Sequence, residues 1–312
     1  MKLDTILPRE RPRAPVRFAL RLIRDSVFQR TQGSQHKPVV AKPDELGITF
    51  IGHASFLLQV GGLNILIDPV FAHWLILVHR LRRPGVRIKD LPPIDAVLLT
   101  HAHMDHLNFR SLRRIIRHTR RRGHKAPVAI VPHHVEDLVN RLGFSQVRSL
   151  AWWQSTNVSG VEITMTPAKH WGARVFTDSQ RGFGGYVVRY YSQAVYHSGD
   201  TGYFPEFTEI QQRLFPQVAL LPIGAYRPES FRGMHMSPED AVKAFIDLNA
   251  QRLVPMHYGS FKLSEEPMDE PLPRLLAAAE KAGIASSVDP ISEGETRIIS
   301  PKWVDFEGRT QT

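Results

Sequence analysis

The chain has 312 residues, enough for one large domain or two small ones, and 42% of them are hydrophobic, ample for a buried core. It contains no cysteine, which excludes disulfides, thiolate metal ligands and a cysteine nucleophile, and no run approaches the 18 or more apolar residues of a helical membrane span. Its 40 Lys and Arg against 30 Asp and Glu leave a net charge of +10, an excess that favours anionic surfaces.

In chain order, residues 1–15 are rich in Pro and Arg and carry no periodic pattern. Val16, Leu20, Ile23 and Val27 then recur at helical spacing with Arg17, Arg21 and Arg24 on a flank. This is an amphipathic helix that either lies in a lipid interface or docks on the core. The same arginines break up any secretory signal, so a cytoplasmic protein is expected, with peripheral contact to the inner membrane face through its basic segments. Residues 31–45 read as a linker. Residues 1–45 are thus an N-terminal extension, 46–303 the main domain and 304–312 a tail. Strands are predicted over Ile48–Ile51, Ser55–Val60 and Asn64–Asp68, the last two joined at Gly61-Gly62 as a hairpin. The apolar run Phe71–Val78 is too short to span a bilayer; a buried helix is expected there, or else a hydrophobic lip at the substrate entrance. Ile94–Thr100 has the composition of a buried strand. Residues 109–122 predict a basic helix, followed by a strand over Val128–Val131 and a helix over His134–Leu142 ended by Gly143. Further strands are expected near 161–165, 185–191, 194–197, 218–222 and 252–256. Ser237-Pro-Glu-Asp240 marks a helix start, with Ser as N-cap and Pro at the first position; helix 238–249 then buries Ala241, Phe245 and Leu248. A last helix runs from about 272 to Lys281 and stops at Gly283. Alternating strands and helices with mixed connections make an α/β layered protein.

The densest chemistry follows the strand at 94–100. His101-Ala-His103-Met-Asp105-His106 places three imidazoles and a carboxylate within six residues. Alternate residues at a strand end point the same way, so His101 and His103 can close on one metal ion, while Asp105 and His106, past a turn, can face a second. A solvated His-rich loop is the alternative. Three further donors stand beside turn-like residues where strands should end: His170 in Thr166-Pro-Ala-Lys-His-Trp171, Asp200 in His197-Ser-Gly-Asp-Thr-Gly202, and His257 in Leu253-Val-Pro-Met-His-Tyr-Gly259. Four well-spaced positions that can converge argue against the loop.

This ordered set, HxHxDH, then His, then Asp in a Gly-Asp-Thr context, then His, resembles the metallo-β-lactamase fold superfamily. The closer resemblance is to its N-acylphosphatidylethanolamine-hydrolysing phospholipase D branch and that enzyme's bacterial relatives. The narrower likeness is carried by Gly52-His-Ala-Ser55, Leu66-Ile-Asp-Pro-Val-Phe71, Pro167-Ala-Lys-His-Trp171, Ser198-Gly-Asp-Thr-Gly-Tyr203, Leu221-Pro-Ile-Gly-Ala-Tyr-Arg-Pro228, His235-Met-Ser-Pro-Glu-Asp-Ala241 and His257-Tyr-Gly-Ser-Phe261. It spans roughly residues 47 to 300.

The resemblance implies an αββα four-layer sandwich in one domain: two β-sheets face to face, helices outside, the active site along one edge. It implies that His101, His103 and His170 hold one metal, that Asp105, His106 and His257 hold the other, and that Asp200 bridges them. Imidazole and carboxylate ligands suit zinc, iron or manganese; two zinc ions are expected. A hydroxide shared by two divalent ions about 3.5–4 Å apart would be the nucleophile at neutral pH. His103 stands where di-iron redox members carry a carboxylate, so hydrolysis is expected. Asp105 and Asp200 would then lie at the reacting atoms. His235 matches a histidine near the substrate, where it would protonate a leaving group or bind phosphate. Tyr226 would line the pocket, and Asp68 would hydrogen-bond a ligand histidine. His53 matches the family pattern and receives no role; Asn108 stands where the family usually has Asp. The implied function is phosphodiester hydrolysis in N-acylphosphatidylethanolamine-type phospholipids on the head-group side. The alternative keeps the metal centre and changes the substrate to a phosphorylated lactone or small soluble phosphodiester. Nucleic acid is not an expected partner, because no stacking platform of interleaved aromatic and basic residues is visible. A non-catalytic membrane adaptor on the same fold is disfavoured, since every ligand position is filled.

Overall fold

Successive side chains of a strand point to opposite faces, and in this chain both faces are apolar. In the computed structural model, which describes residues 30–175 and 178–299 together with Leu20 and Arg24, that double burial organises everything else. Apart from Leu20 and Arg24, the amphipathic segment expected around Val16–Val27 lies outside the described residues, as does the tail after Trp303.

The first half opens with β1 (Leu46–Gly52), β2 (Ser55–Val60) and β3 (Leu63–Ile67), all antiparallel. Gly61 and Gly62 join β2 to β3 at φ 56° and 75°, the left-handed values that glycine tolerates. A small hairpin follows, β4 (Trp74–Leu75) with β5 (Val78–His79). Then come β6 (Ala96–Leu98), α1 (Phe109–Arg121), β7 (Val128–Pro132), α2 (Glu136–Val139) and β8 (Gln146–Leu150). β6, β7 and β8 extend the sheet in parallel from β3. The second half begins as an antiparallel meander, β9 (Ser155–Val158), β10 (Val161–Thr166), β11 (Gly185–Tyr190) and β12 (Gln193–His197). It continues in parallel through α3 (Phe207–Leu214), β13 (Val218–Pro222), α4 (Pro238–Asp247), β14 (Arg252–Met256) and α5 (Pro271–Lys281). β15 (Thr296–Ile299) returns to pair with β1. Among the described residues this gives one sheet in the order β15-β1-β2-β3-β6-β7-β8 and another in the order β14-β13-β12-β11-β10-β9.

Between the sheets lie Phe56, Leu58, Ile65, Ile67 and Leu98 from the first, with Ile163, Tyr186, Val195, Leu220 and Val254 from the second. The alternate residues Leu57, Leu66 and Val97 turn outward onto Leu112 and Ile115 of α1 and Val139 of α2. On the far side, Tyr196, Ala219 and Leu221 meet Phe207 of α3, Phe245 of α4 and Leu275 of α5. Each such side chain contributes about 1.5–3 kcal/mol on burial, so strands covered on both faces read as continuous apolar runs. Helix, sheet, sheet, helix: the four layers are those expected.

Local signals place the helices. Ser237 caps α4 and forms a reciprocal capping box with Asp240, with Pro238 at the first position. Asn108 caps α1, its side-chain oxygen accepting from the Ser111 backbone N–H at 3.0 Å. The helix expected over His134–Leu142 shrinks to α2, because His134 itself sits at φ 63°. β8, β9 and β15 escaped the sequence reading; their polar, partly exposed residues carry little apolar alternation. The stretch read as a linker is held along the domain: Gln32 N–H donates to Leu81 O and Arg83 N–H to Gln32 O, both at 2.8 Å. The buried helix expected over Phe71–Val78 is instead the β4–β5 hairpin. Ile76 at φ 54° turns the chain, and of the tip residues 74–77 Leu75 alone is buried. Among the described residues no helix is long and apolar enough to cross a membrane.

Candidate metal centre

Seven chain segments bring polar side chains to one edge of the sandwich. From the first sheet come His53 in the β1–β2 turn, Asp68 just past β3, and residues 100–106 beyond β6. From the second come His170 after β10, Asp200 after β12, His235 ahead of α4, and His257 after β14. Two glycines allow the close approach. A Cβ on Gly224 would stand 2.2 Å from His257 O, and one on Gly199 would stand 2.8 Å from Gly184 O and 2.9 Å from Thr100 Cβ. Three non-glycine site residues, His53, Asp68 and His257, hold φ values of 62°, 44° and 57°. Left-handed backbone costs about 1–2 kcal/mol per such residue, and strain of this kind gathers at functional sites.

The donors fall into two sets. His101, His103, His170 and Asp200 form the first: His101 Nε2 lies 2.9 Å and His170 Nε2 3.3 Å from His103 Nδ1, and both Nε2 atoms are 3.9 Å from Asp200 Oδ2. His53, Asp105, His106 and His257 form the second, with His106 Nε2 and His257 Nε2 each 3.6 Å from Asp105 Oδ2. Asp200 Oδ2 is shared, being 3.2 Å from His106 Nε2 and 3.1 Å from His257 Nε2. Ligands about 2.0–2.1 Å from a tetrahedral zinc are themselves roughly 3.3 Å apart. The spacing here is of that order.

Outer partners fix how the rings present themselves. Thr100 Oγ1 donates to Asp68 Oδ2 at 2.6 Å, so it accepts from His101 Nδ1–H at 2.9 Å and leaves the Nε2 lone pair facing the site. His106 Nδ1–H donates to Asp68 Oδ2 at 2.7 Å and His170 Nδ1–H to Met234 O at 3.1 Å, with the same consequence. Asp68 is fully buried and also accepts from Thr100 N–H at 2.8 Å, so one carboxylate orients two imidazoles.

The electrostatics agree. Burial above all holds His101, His103 and His170 below the usual histidine range, which keeps them neutral. Burial also opposes protonation of His106 and His257, but the carboxylates led by Asp200 overcome it, driving His106 well above that range and His257 up to about 9. Burial likewise opposes ionisation of Asp105 and Asp200, yet the neighbouring imidazoles, His106 first, hold both well below the usual carboxylate range. The charge that balances these two carboxylates sits on His106 and His257, where a bound cation would supply it instead and leave both rings neutral. His106 Nε2, His257 Nε2, Asp200 Oδ1 and His235 Nδ1 are buried without a hydrogen-bond partner. Buried polar atoms rarely remain so, and divalent cations fit both the donor chemistry and the charge.

The remaining predicted residues divide. His235 joins the site: Nδ1 lies 3.8 Å from Asp200 Oδ2, and the ring stands edge-on to His170 with centroids 5.0 Å apart. Tyr226 stays apart from both donor sets, its hydroxyl donating to Glu270 Oε1 at 2.8 Å beneath the Arg274 guanidinium. Two residues without a predicted role belong here. His53 Nε2 is 3.0 Å from Asp105 Oδ2, its ring 4.1 Å from that of His257, and its own carbonyl accepts from His257 N–H at 2.8 Å. Trp171 packs on His170 and edge-on to His103 while remaining 37% exposed, so it forms a wall at the mouth of the site. The signal for His53 was the Gly52-His-Ala-Ser55 motif; for Trp171 it was only adjacency to His170.

A Beta-lactamase superfamily domain matches residues 63–258. The chain belongs to that superfamily, with the metallo-β-lactamase fold and the donor sets of a metal-dependent hydrolase. It is 34% identical over 254 residues to a protein of Mycobacterium tuberculosis, covering 78% of this chain and 66% of that one. It is 31% identical over 251 residues to the mitochondrial N-acyl-phosphatidylethanolamine-hydrolyzing phospholipase D of Saccharomyces cerevisiae, covering 75% of this chain and 52% of that enzyme. The chain thus spans about half the length of the yeast protein. Among solved structures, Igni18, a metallo hydrolase from the archaeon Ignicoccus hospitalis, is 28% identical with a TM-score of 0.64, covering 83% of this chain and 100% of that one.

Proposed function

We propose that this hydrolase is a dinuclear-metal phosphodiesterase acting on N-acylphosphatidylethanolamine-type phospholipids in the manner of a phospholipase D. The observation that carries this reading is the meeting of two donor sets on one carboxylate oxygen, Asp200 Oδ2, with His235 beside it. His101, His103 and His170 would hold one cation and Asp105, His106 and His257 the other, zinc being the first choice, with Asp200 in contact with both. Bound there, two divalent cations supply Lewis-acid polarisation of a phosphoryl oxygen and acidify water. The chain supplies the arrangement: Thr100, Asp68 and Met234 fix the ring tautomers, and Trp171 walls the substrate side. Burial pushes His235 down to about 4, so its ring is neutral at physiological pH. Of its two expected tasks, a neutral ring suits hydrogen bonding to a phosphoryl oxygen.

The phospholipid substrate is supported by the yeast relative, which is named for that activity. Purified protein incubated with vesicles containing N-acylphosphatidylethanolamine should release phosphatidic acid, with turnover abolished by chelator and restored by zinc. Cleavage of soluble phosphodiesters or phosphorylated lactones with no phosphatidic acid released would move the assignment to a soluble substrate on the same metal centre.

A further inference from the structure

Two surface elements start at the metal centre's own loops and take no part in its chemistry. The β4–β5 hairpin leaves the chain shortly after Asp68, and its tip carries Trp74, Ile76 and Leu77, which are 48%, 70% and 57% exposed. Its single buried tip residue, Leu75, packs with Val70 and Phe261, and the Phe261 ring stands edge-on to His53 at 5.3 Å. The hairpin root is pinned by Arg80, a fully buried guanidinium that donates to Val70 O at 2.7 Å and Ala72 O at 3.1 Å and lies 4.4 Å over the Phe261 ring. Leu75 and Arg80 thus anchor the hairpin beneath three solvent-facing apolar side chains.

The second element is α1, which begins three residues after His106. Its inner face buries Leu112, Ile115 and Ile116; its outer face presents Arg110, Arg113, Arg114, Arg117, Arg120 and Arg121. None of these six is paired with a carboxylate among the described residues. Arg113, Arg117, Arg120 and Arg121 ring a shallow depression floored by Ile116 and Leu142. Hairpin and helix adjoin: Phe71 N–H donates to Ser111 Oγ at 2.9 Å. His73 feels burial first and then the charges of Arg80, His79, Arg83 and Arg114, which lower its pKa.

We propose that the β4–β5 tip and the outer face of α1 form one docking surface for an anionic phospholipid bilayer. Trp74, Ile76 and Leu77 would enter the boundary between headgroups and acyl chains, where an indole and two aliphatic side chains suit the mixed polarity. The α1 arginines would lie against lipid phosphates, within the short range over which a charged leaflet attracts basic residues. Charge complementarity selects the partner's sign, and the apolar tip selects a membrane over a nucleic acid, which would need stacking platforms and offers no acyl layer. The inference rests on the phospholipid reading above: docking here would bring a headgroup phosphodiester to the edge of the sandwich where Trp171 and the donor sets open.

The test uses the full chain and two variants away from the metal centre, Trp74→Ser/Ile76→Ser/Leu77→Ser and Arg113→Gln/Arg117→Gln. Sedimentation with phosphatidylglycerol–phosphatidylcholine vesicles should show binding that weakens with salt and falls on the order of tenfold or more in each variant. Hydrolysis of soluble bis(p-nitrophenyl) phosphate should be unchanged in both, which shows that the variants fold. Undiminished vesicle binding in either variant, or binding to RNA that depends on the arginines and ignores the tip, would overturn the docking surface. Vesicle binding that depends on both elements, in a protein that cleaves no phosphodiester, would uphold the surface and remove the substrate reading instead.

Discussion

The two sheets furnish the metal centre in opposite ways. The first gives a contiguous run, His101 to His106, whose rings share an outer partner: Asp68 orients His106 directly and His101 through Thr100. The second gives three isolated residues, His170, Asp200 and His257, each at the end of a different strand and each positioned by something different. His170 leans on the Met234 carbonyl, Asp200 follows Gly199 at φ 63°, and His257 is fixed by its backbone N–H on the carbonyl of His53. The first half is therefore interdependent and the second modular. Damage should spread in one and stay local in the other.

The largest effects should come from the donors themselves, equally in both halves. His103→Ala and His257→Ala should each lose bound metal by elemental analysis and lose more turnover than the roughly 10–100-fold typical of outer partners. Retention of full metal content and turnover in His257→Ala would break the symmetry on which the two donor sets depend. Asp68→Ala should come next, near the upper end of that 10–100-fold loss in metal affinity, because two rings lose their orientation together. Asp68→Asn, which keeps an acceptor oxygen, should fall between. His53→Ala removes a hydrogen bond to Asp105 and ring packing on His257 but keeps the backbone carbonyl that holds His257 N–H, so about a tenfold loss of zinc affinity in a competition titration is expected. Tyr226→Phe should be mildest. Loss of the Glu270 hydrogen bond should cost about 0.5–1.5 kcal/mol of stability in a denaturant titration, with turnover unchanged; a clear fall in turnover would support the expected place of Tyr226 in the substrate pocket.

The difference between the halves also explains what was legible. His101-Ala-His103-Met-Asp105-His106 announces itself, because six residues cannot hold four strong donors by accident of packing. His170, Asp200 and His257 could be nominated only by turn-like neighbours and the family pattern, since a single histidine at a strand end has many ordinary uses. His53 was marked by the Gly52-His-Ala-Ser55 motif but given no role, because that role depends on Asp105, 52 residues away, standing 3.0 Å from its ring. The Phe71–Val78 run failed for another reason. Its apolar content fits a core helix, and only the turn at Ile76 sends Trp74 and Leu77 outward. Nor does the sequence tell one arginine from another: Arg80 is buried, Arg87 pairs with Asp90 and Arg82 reaches Glu293, while the α1 arginines stay exposed.

By itself, the sequence determined the strands with two apolar faces, the capped helix after Ser237 and the identity of the main donors, because period, capping chemistry and ligand type are local properties of the chain. Only the tertiary structure decided that Asp200 Oδ2 lies within 3.9 Å of five imidazoles, that Asp68 serves two of them, and that an apolar hairpin stands beside an arginine face. Those are distances between segments far apart along the chain. They are set by how two sheets pack face to face, which no local pattern encodes.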